Sequence, residues 1–227
     1  MRIGILQTGI APDSLKADFG DYPAFFETLL AGNEFEFTTY VVVNNDFPPD
    51  VQAADGWLIT GSRHGAYENH AFITPLEDFI RSAAAGKVPM VGVCFGHQIM
   101  AQALGGKVEK FIGGWSVGAN DYDFEGETVT LNAWHQDQVT SVPKGAKIIA
   151  HSPFCAVAGL AYGTHGLSVQ AHPEFSSEFV EGLMDSRGKG VVPEPLLSKA
   201  RTRLNDKIDQ PLLARKIADF FKKSQTL

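Results

Sequence analysis

The chain has 227 residues, 44% of them hydrophobic, and a formal net charge of −7. That length buries one large core, and an acidic balance with no dense Lys/Arg cluster argues against a nucleic-acid partner. Two cysteines exclude a disulfide scaffold, and no apolar run has the length of a signal peptide or a membrane span, so a reduced, cytoplasmic protein with no membrane partner is expected.

Arg2 to Gln7 reads as a first strand, short and apolar, ended by Thr8-Gly9. A polar loop follows, then a helix from Tyr22 to Ala31 closed by Gly32. Phe35 to Val43 is rich in aromatic and β-branched residues and reads as strand. Gly56 to Thr60 is a short buried strand stopped by Gly61-Ser62. Ile73 to Ala85 is a helix with Thr74 as N-cap, Pro75 in its first turn and Gly86 at its end. Met90 to Val93 is a buried strand, and Gly96 to Leu104 a helix closed by Gly105-Gly106. From Lys107 to Gln170 the helices stop. Short β-like runs take over at Thr128 to Trp134, Ile148 to His151, Cys155 to Tyr162 and Leu167 to Gln170. The tail is helical near Ser176 to Ser186, Pro195 to Leu204 and Gln210 to Lys223.

This alternation predicts an α/β fold: a mostly parallel central sheet flanked by helices, with an antiparallel ribbon attached to the same sheet. No repeat, low-complexity tract or linker appears, so residues 1–227 are read as one domain with a C-terminal helical extension over about 190–227.

The chemistry is carried first by Gly92-Val93-Cys94-Phe95-Gly96. This is the cysteine form of a nucleophile elbow, in which a strand turns sharply into a helix and exposes the residue at the tip. Glycines on either side remove Cβ atoms that would clash. The tip sits at a helix N-terminus, whose dipole and free N–H groups favour a thiolate. The N–H of Phe95 is placed to bind an oxyanion. Cys155 lies in an apolar run without an elbow and reads as core.

A nucleophilic cysteine needs a base, and the base an orienting group. Of seven histidines, His172 follows an apolar strand, as Cys94 does, and Glu174 stands two residues on across Pro173. Ligand crevices of α/β sheets lie at such strand ends. His97, on the helix after the nucleophile, reads as a packing residue. The histidines are scattered, with no CxxC, HxxxH or HxH spacing, so no metal is expected. Without a phosphate loop or dinucleotide fingerprint, no cofactor is expected either.

Gly92-Val93-Cys94-Phe95-Gly96-His97-Gln98 followed by His172-Pro173-Glu174 resembles the class I (triad-type) glutamine amidotransferases, from Arg2 to about Phe179. The resemblance implies that fold, related to flavodoxin-like sheets, and hydrolysis of a γ-glutamyl amide through a thioester. It implies Cys94 as nucleophile, His172 as base and then acid, and Glu174 as its orienter. It further implies Gly61 as the second oxyanion donor, Gln98 as a substrate contact, and Trp134, His135 and Gln136 as the loop holding the α-amino and α-carboxylate groups. Many members carry Gly-Gly-Pro where this chain has Gly61-Ser62-Arg63, a departure that bears on glutamine specificity. The likeness points most to stand-alone members, which include the plant γ-glutamyl peptidases, and to the glutaminase domain of GMP synthetase. The implied ligand is glutamine or a γ-glutamyl small molecule. The alternatives are a glutaminase that works as one subunit beside a separate synthase and a silent binding protein of the same fold. The loop from Arg63 to Glu68 is the candidate for substrate selection.

Overall fold

A computed structural model describes residues 1–224. The last three positions of the expected 190–227 extension, 225–227, lie outside the described residues. Nine strands form one sheet in the order β2-β1-β3-β4-β11-β10-β9-β6-β7. Its first half is parallel: β2 (Glu36–Tyr40), β1 (Arg2–Leu6), β3 (Gly56–Ile59), β4 (Met90–Val93) and β11 (Gly166–Val169). Its second half is the antiparallel ribbon of β10 (Gly159–Tyr162), β9 (Ala146–His151), β6 (Ser116–Phe124) and β7 (Glu127–His135). The expected architecture is therefore found. Not all of the later β structure joins this sheet, however: β5 (Lys107–Lys110) and β8 (Asp137–Ser141) pair separately.

Every residue of β3 and β4 is buried, because helices cover both faces of the parallel half. Alternation of side chains splits the core in two. Ile3, Ile5, Leu58, Val91 and Val93 face α2 (Tyr22–Leu29) and α7 (Gln210–Ser224), where they meet Phe26, Leu213, Ile217 and Phe221. Trp57, Ile59 and Met90 face α3 (Ile73–Ala85) and α4 (Phe95–Ala103), where they meet Leu76, Ile80, Ile99 and Met100. A third cluster gathers α1 (Asp13–Phe19), α5 (Ser177–Leu183) and α6 (Glu194–Arg201) around Tyr22, Phe175 and Phe179.

Several local expectations need correcting. The polar segment before Tyr22 contains α1, which buries only Leu15 and so leaves no apolar period to read. Helix α3 starts at Ile73 with Phe72 at the cap position and no side-chain cap, so Thr74 lies inside the helix. The buried pair Phe72 and Ile73 anchors that end against the core instead. Cys155 lies before β10, not in it: Ser152 N–H donates to Cys155 O at 2.8 Å, and Cys155 N–H donates to Ser152 Oγ at 3.0 Å, closing a turn. No helix among the described residues is long and apolar enough to cross a membrane.

Candidate active site

Three neighbouring parallel strands, β3, β4 and β11, end on one side of the sheet, and Gly61, Cys94 and His172 follow them. Cys94 directly continues β4, and its N–H still donates to Val169 O of β11 at 2.9 Å. There the chain turns into α4 with Cys94 at φ 54 and ψ −103. A non-glycine residue in that region stores ~1–3 kcal/mol of strain, which the surrounding packing must hold. The flanking glycines make the turn sterically feasible. A Cβ on Gly92 would lie 2.5 Å from the Gly96 carbonyl, and one on Gly96 would lie 2.3 Å from Ile59 O. Cys94 is then 5% exposed at the N-terminus of α4, and the Phe95 N–H, in the first turn, has no intrahelical acceptor.

Gly61 approaches both other groups. A Cβ there would stand 3.1 Å from His172 Cε1 and 3.8 Å from Cys94 Cβ. A threonine pair holds this loop. Thr8 N–H donates to Thr60 Oγ1 at 3.0 Å, and Thr8 Oγ1 donates to Thr60 O at 2.9 Å. Sequence reading missed the pair, although Thr8-Gly9 after β1 repeats Thr60-Gly61 after β3.

His172 is fixed from three sides. Its backbone N–H donates to Asn132 O at 2.8 Å. Its Nδ1–H donates to Glu174 Oε1 at 2.8 Å. Its ring stacks on Phe175 at 3.9 Å with planes 5° apart. Burial by itself pulls the His172 pKa down. The facing Cys94 and Glu174 charges, with the hydrogen bond to Glu174, more than reverse that and hold it above the usual imidazole range. Among the described residues Glu174 Oε2 is buried with no hydrogen-bond partner, and the imidazole is the carboxylate's one side-chain hydrogen bond. The arrangement is a cysteine sulfur, an imidazole whose pKa is raised and a buried carboxylate in sequence, with Gly61 alongside and Cys94 at the N-terminus of α4.

A cavity of about 570 Å³ opens over Cys94 and His172. Trp134, His135, Gln136 and Gln98 line it. His135 donates through Nδ1 to Asp137 O at 3.1 Å, and burial lowers its pKa to about 3, so it is neutral. Its Nε2 is buried without a partner among the described residues and is left as a bare acceptor. Gln98 Nε2 donates to Asp137 O at 2.9 Å and to Gln170 Oε1 at 3.1 Å, which uses both of its hydrogens. Only its Oε1 is left for a ligand. Gln136 Nε2 donates to Phe111 O at 3.4 Å, and Trp134 lies 6.1 Å from Trp115, ring to ring.

His97 is fully buried beneath the elbow. Nδ1 meets Ser168 Oγ at 2.8 Å and Nε2 meets Val157 O at 3.1 Å, while burial lowers its pKa to about 4. It is a neutral brace between α4 and the sheet, as its place on the helix suggested. Cys155 is 1% exposed within the core. The sequence did not single out Phe175, nor the cations Lys110, Arg187 and Lys189, which line the cavity with Arg63. Arg187 is held by Ile10 O at 2.9 Å and Tyr22 Oη at 3.4 Å. Its signal is weak because it lies on a π-helical turn, Met184–Gly188, far along the chain from the motifs.

Comparison with known proteins places this geometry. A model of the family described as Glutamine amidotransferase class-I matches residues 26–181. The chain is 30% identical over 192 residues to gamma-glutamyl peptidase 4 of Arabidopsis thaliana, covering 77% of this chain and 76% of the relative. It is 33% identical over 152 residues to a glutamine-hydrolyzing GMP synthase subunit of Methanopyrus kandleri, covering 59% of this chain and 74% of that one. The fold matches the crystal structure of a glutamine amido transferase from Methylobacillus flagellatus with a TM-score of 0.76 at 21% identity, over 99% of this chain and 92% of the other. The chain belongs to the class I glutamine amidotransferase family and is an enzyme of that type.

Proposed function

We propose that the protein hydrolyses the γ-glutamyl amide bond of glutamine or of a γ-glutamyl peptide through a glutamyl thioester on Cys94. The observation that carries this reading is the convergence of Cys94, His172 and Glu174 with Gly61 at the ends of adjacent strands. The Cys94 thiolate adds to the amide carbon, and the Gly61 and Phe95 N–H groups bind the oxyanion that forms. The His172 imidazolium gives its proton to the departing nitrogen, and the C–N bond breaks to leave the thioester. His172, now neutral, takes a proton from water. The resulting hydroxide attacks the thioester carbon, glutamate leaves, and the thiolate–imidazolium pair returns. Glu174 holds the ring and offsets its charge throughout. The acceptor His135 Nε2 suits the substrate α-ammonium, and the cationic wall suits carboxylates of a peptide-like leaving group.

The purified protein is incubated with glutamine, γ-glutamyl dipeptides and glutathione, and released glutamate is measured, with Cys94→Ala as control. Turnover that vanishes in Cys94→Ala is expected. Turnover that survives the substitution refutes the thioester route. The likeness to a GMP synthase subunit supports a second reading, a glutaminase that serves a synthase partner. Full activity of the isolated chain on any of these substrates removes that reading.

A further inference from the structure

Between β3 and α3 the chain runs past the mouth of the cavity, and His64 and Glu68 line it there. His70 lies just outside. The three side chains converge: one ligand atom from each lies within 4.8 Å of the others. His70 Nε2 is 2.7 Å from Glu68 Oε2, and His64 Nδ1 is 3.7 Å from the same oxygen. The two imidazole rings are 4.0 Å apart.

We propose that His64, Glu68 and His70 bind one divalent transition-metal ion of the zinc type beside the catalytic cavity. Two imidazoles and one carboxylate form a donor set that three-ligand zinc sites use, with a fourth position left for water or a ligand. Such donors suit zinc and its neighbours and poorly suit calcium or magnesium, which take oxygen ligands. With donors ~2.0–2.2 Å from the ion, tetrahedral geometry sets ligand atoms roughly 3.3–3.5 Å apart. The observed spacings bracket that value. Glu68, whose side chain is half-exposed, can swing to close the difference.

The frame behind the ligands is already ordered. Both imidazoles pack against the buried ring of Phe72, His64 at 5.9 Å and His70 stacked at 6.0 Å. The intervening turns are closed by Glu68 N–H to Gly65 O at 3.0 Å and His70 N–H to Glu68 O at 3.1 Å. An ion bound here ties down two residues of the cavity wall, and through Phe72 it abuts Phe95, the residue after the nucleophile, whose ring lies 6.1 Å away. Metal occupancy would thus act on the site from its rim, without a role in bond breaking. A chain with no HxH or HxxxH spacing hides such a site, because the ligands stand at positions i, i+4 and i+6 of an irregular loop.

The test is calorimetric titration of Zn²⁺ into the full chain carrying Cys94→Ala, which removes the thiolate as a rival ligand. One ion per chain is expected. Adding His70→Gln keeps a donor for Glu68 but removes a good ligand. Losing a ligand costs at least as much as losing a supporting contact, so affinity should fall at least ~10-fold. At the same Zn²⁺ concentration the melting midpoint of the Cys94→Ala chain should rise, and that of the double variant should rise less. Equal affinity with and without His70, or no binding by the Cys94→Ala chain, overturns the proposal.

Discussion

The elbow predicts a sharp response to one methyl group. In Gly96→Ala the new Cβ meets two backbone atoms, Ile59 O at 2.3 Å and Ile59 C at 3.0 Å. Ordinary contact begins at 3.4 Å, so α4 must retreat from β3 by about 3.4 − 2.3 = 1.1 Å. Backbone cannot rotate aside as a side chain can. Overpacking of this kind costs ~1–3 kcal/mol. For a chain of this size each kcal/mol moves the melting midpoint by ~2–4 °C, which gives a fall of roughly 2–12 °C. Cys94 rides on the N-terminus of the displaced helix, whereas Gly61 and His172 sit on other elements and stay behind. A misplacement of ~1 Å between reacting groups costs roughly 10²-fold in rate. The cavity wall from Trp134 to Asp137 runs from the end of β7 to the start of β8, and of the proposed substrate contacts only Gln98 moves with α4, so the loss should fall on kcat more than on KM. Scanning calorimetry and glutamate release over a range of substrate concentrations measure both effects. A Gly96→Ala protein with wild-type melting and wild-type kcat would refute the reasoning.

Two further substitutions separate chemistry from support. Glu174→Gln should lower kcat by roughly 10⁴-fold, as loss of an orienting carboxylate does elsewhere. It removes one of the two charges that raise the His172 pKa, so the alkaline limb of the pH–rate profile should move to lower pH. The stability linkage has the same sign. A raised folded pKa gives stability that is complete below the ordinary imidazole value of 6.5 and is lost as pH rises through the folded value. In Glu174→Gln that window narrows, which urea unfolding across pH would register; an unmoved limb and window would contradict the assigned charge on His172. His97→Ala should destabilise by ~1–3 kcal/mol, because Ser168 Oγ and Val157 O lose a buried partner. Its pH–rate profile should keep the wild-type limbs, since His97 is neutral over the working range; a lost limb would assign it a proton-transfer role.

What could be read from the sequence follows from how the information is stored. The parallel strands were legible because both faces of β3 and β4 are buried, which forces short continuous apolar runs between glycine stops. The elbow was legible for the same reason that it is rigid: only glycine fits at 92 and 96. Strand β6 was not, because it mixes Gly118 at φ 73 with Asn120, Asp121 and Asp123, and gains its order by pairing with β7 along its full length. The β5–β8 pair was hidden likewise, since its partners are separated by about thirty residues and only Val108 of β5 is buried. In the site, Cys94, His172 and Glu174 could be named from local motifs. The committed donors of Gln98 and the bare Nε2 of His135 could not, because both depend on Asp137 O, an acceptor that local sequence does not reveal.

Helix α7 crosses the underside of the sheet like a bolt. At its near end Asp209 exchanges hydrogen bonds with Thr130 of β7, and Gln210 Nε2 donates to Phe175 O, the carbonyl of the residue that stacks on His172. At its far end Phe221 lies against Gly56 of β3. These residues are made after every strand of the sheet. During synthesis Cys94, His172 and Glu174 are therefore all present while the underside around Ile3, Ile5 and Leu58 is covered by α2 alone. The turn that carries the imidazole receives its last tether only when residues 209–221 emerge. A ribosome-bound chain halted before that point would hold Cys94, His172 and Glu174 without this tether, so their geometry would stiffen only once α7 docks.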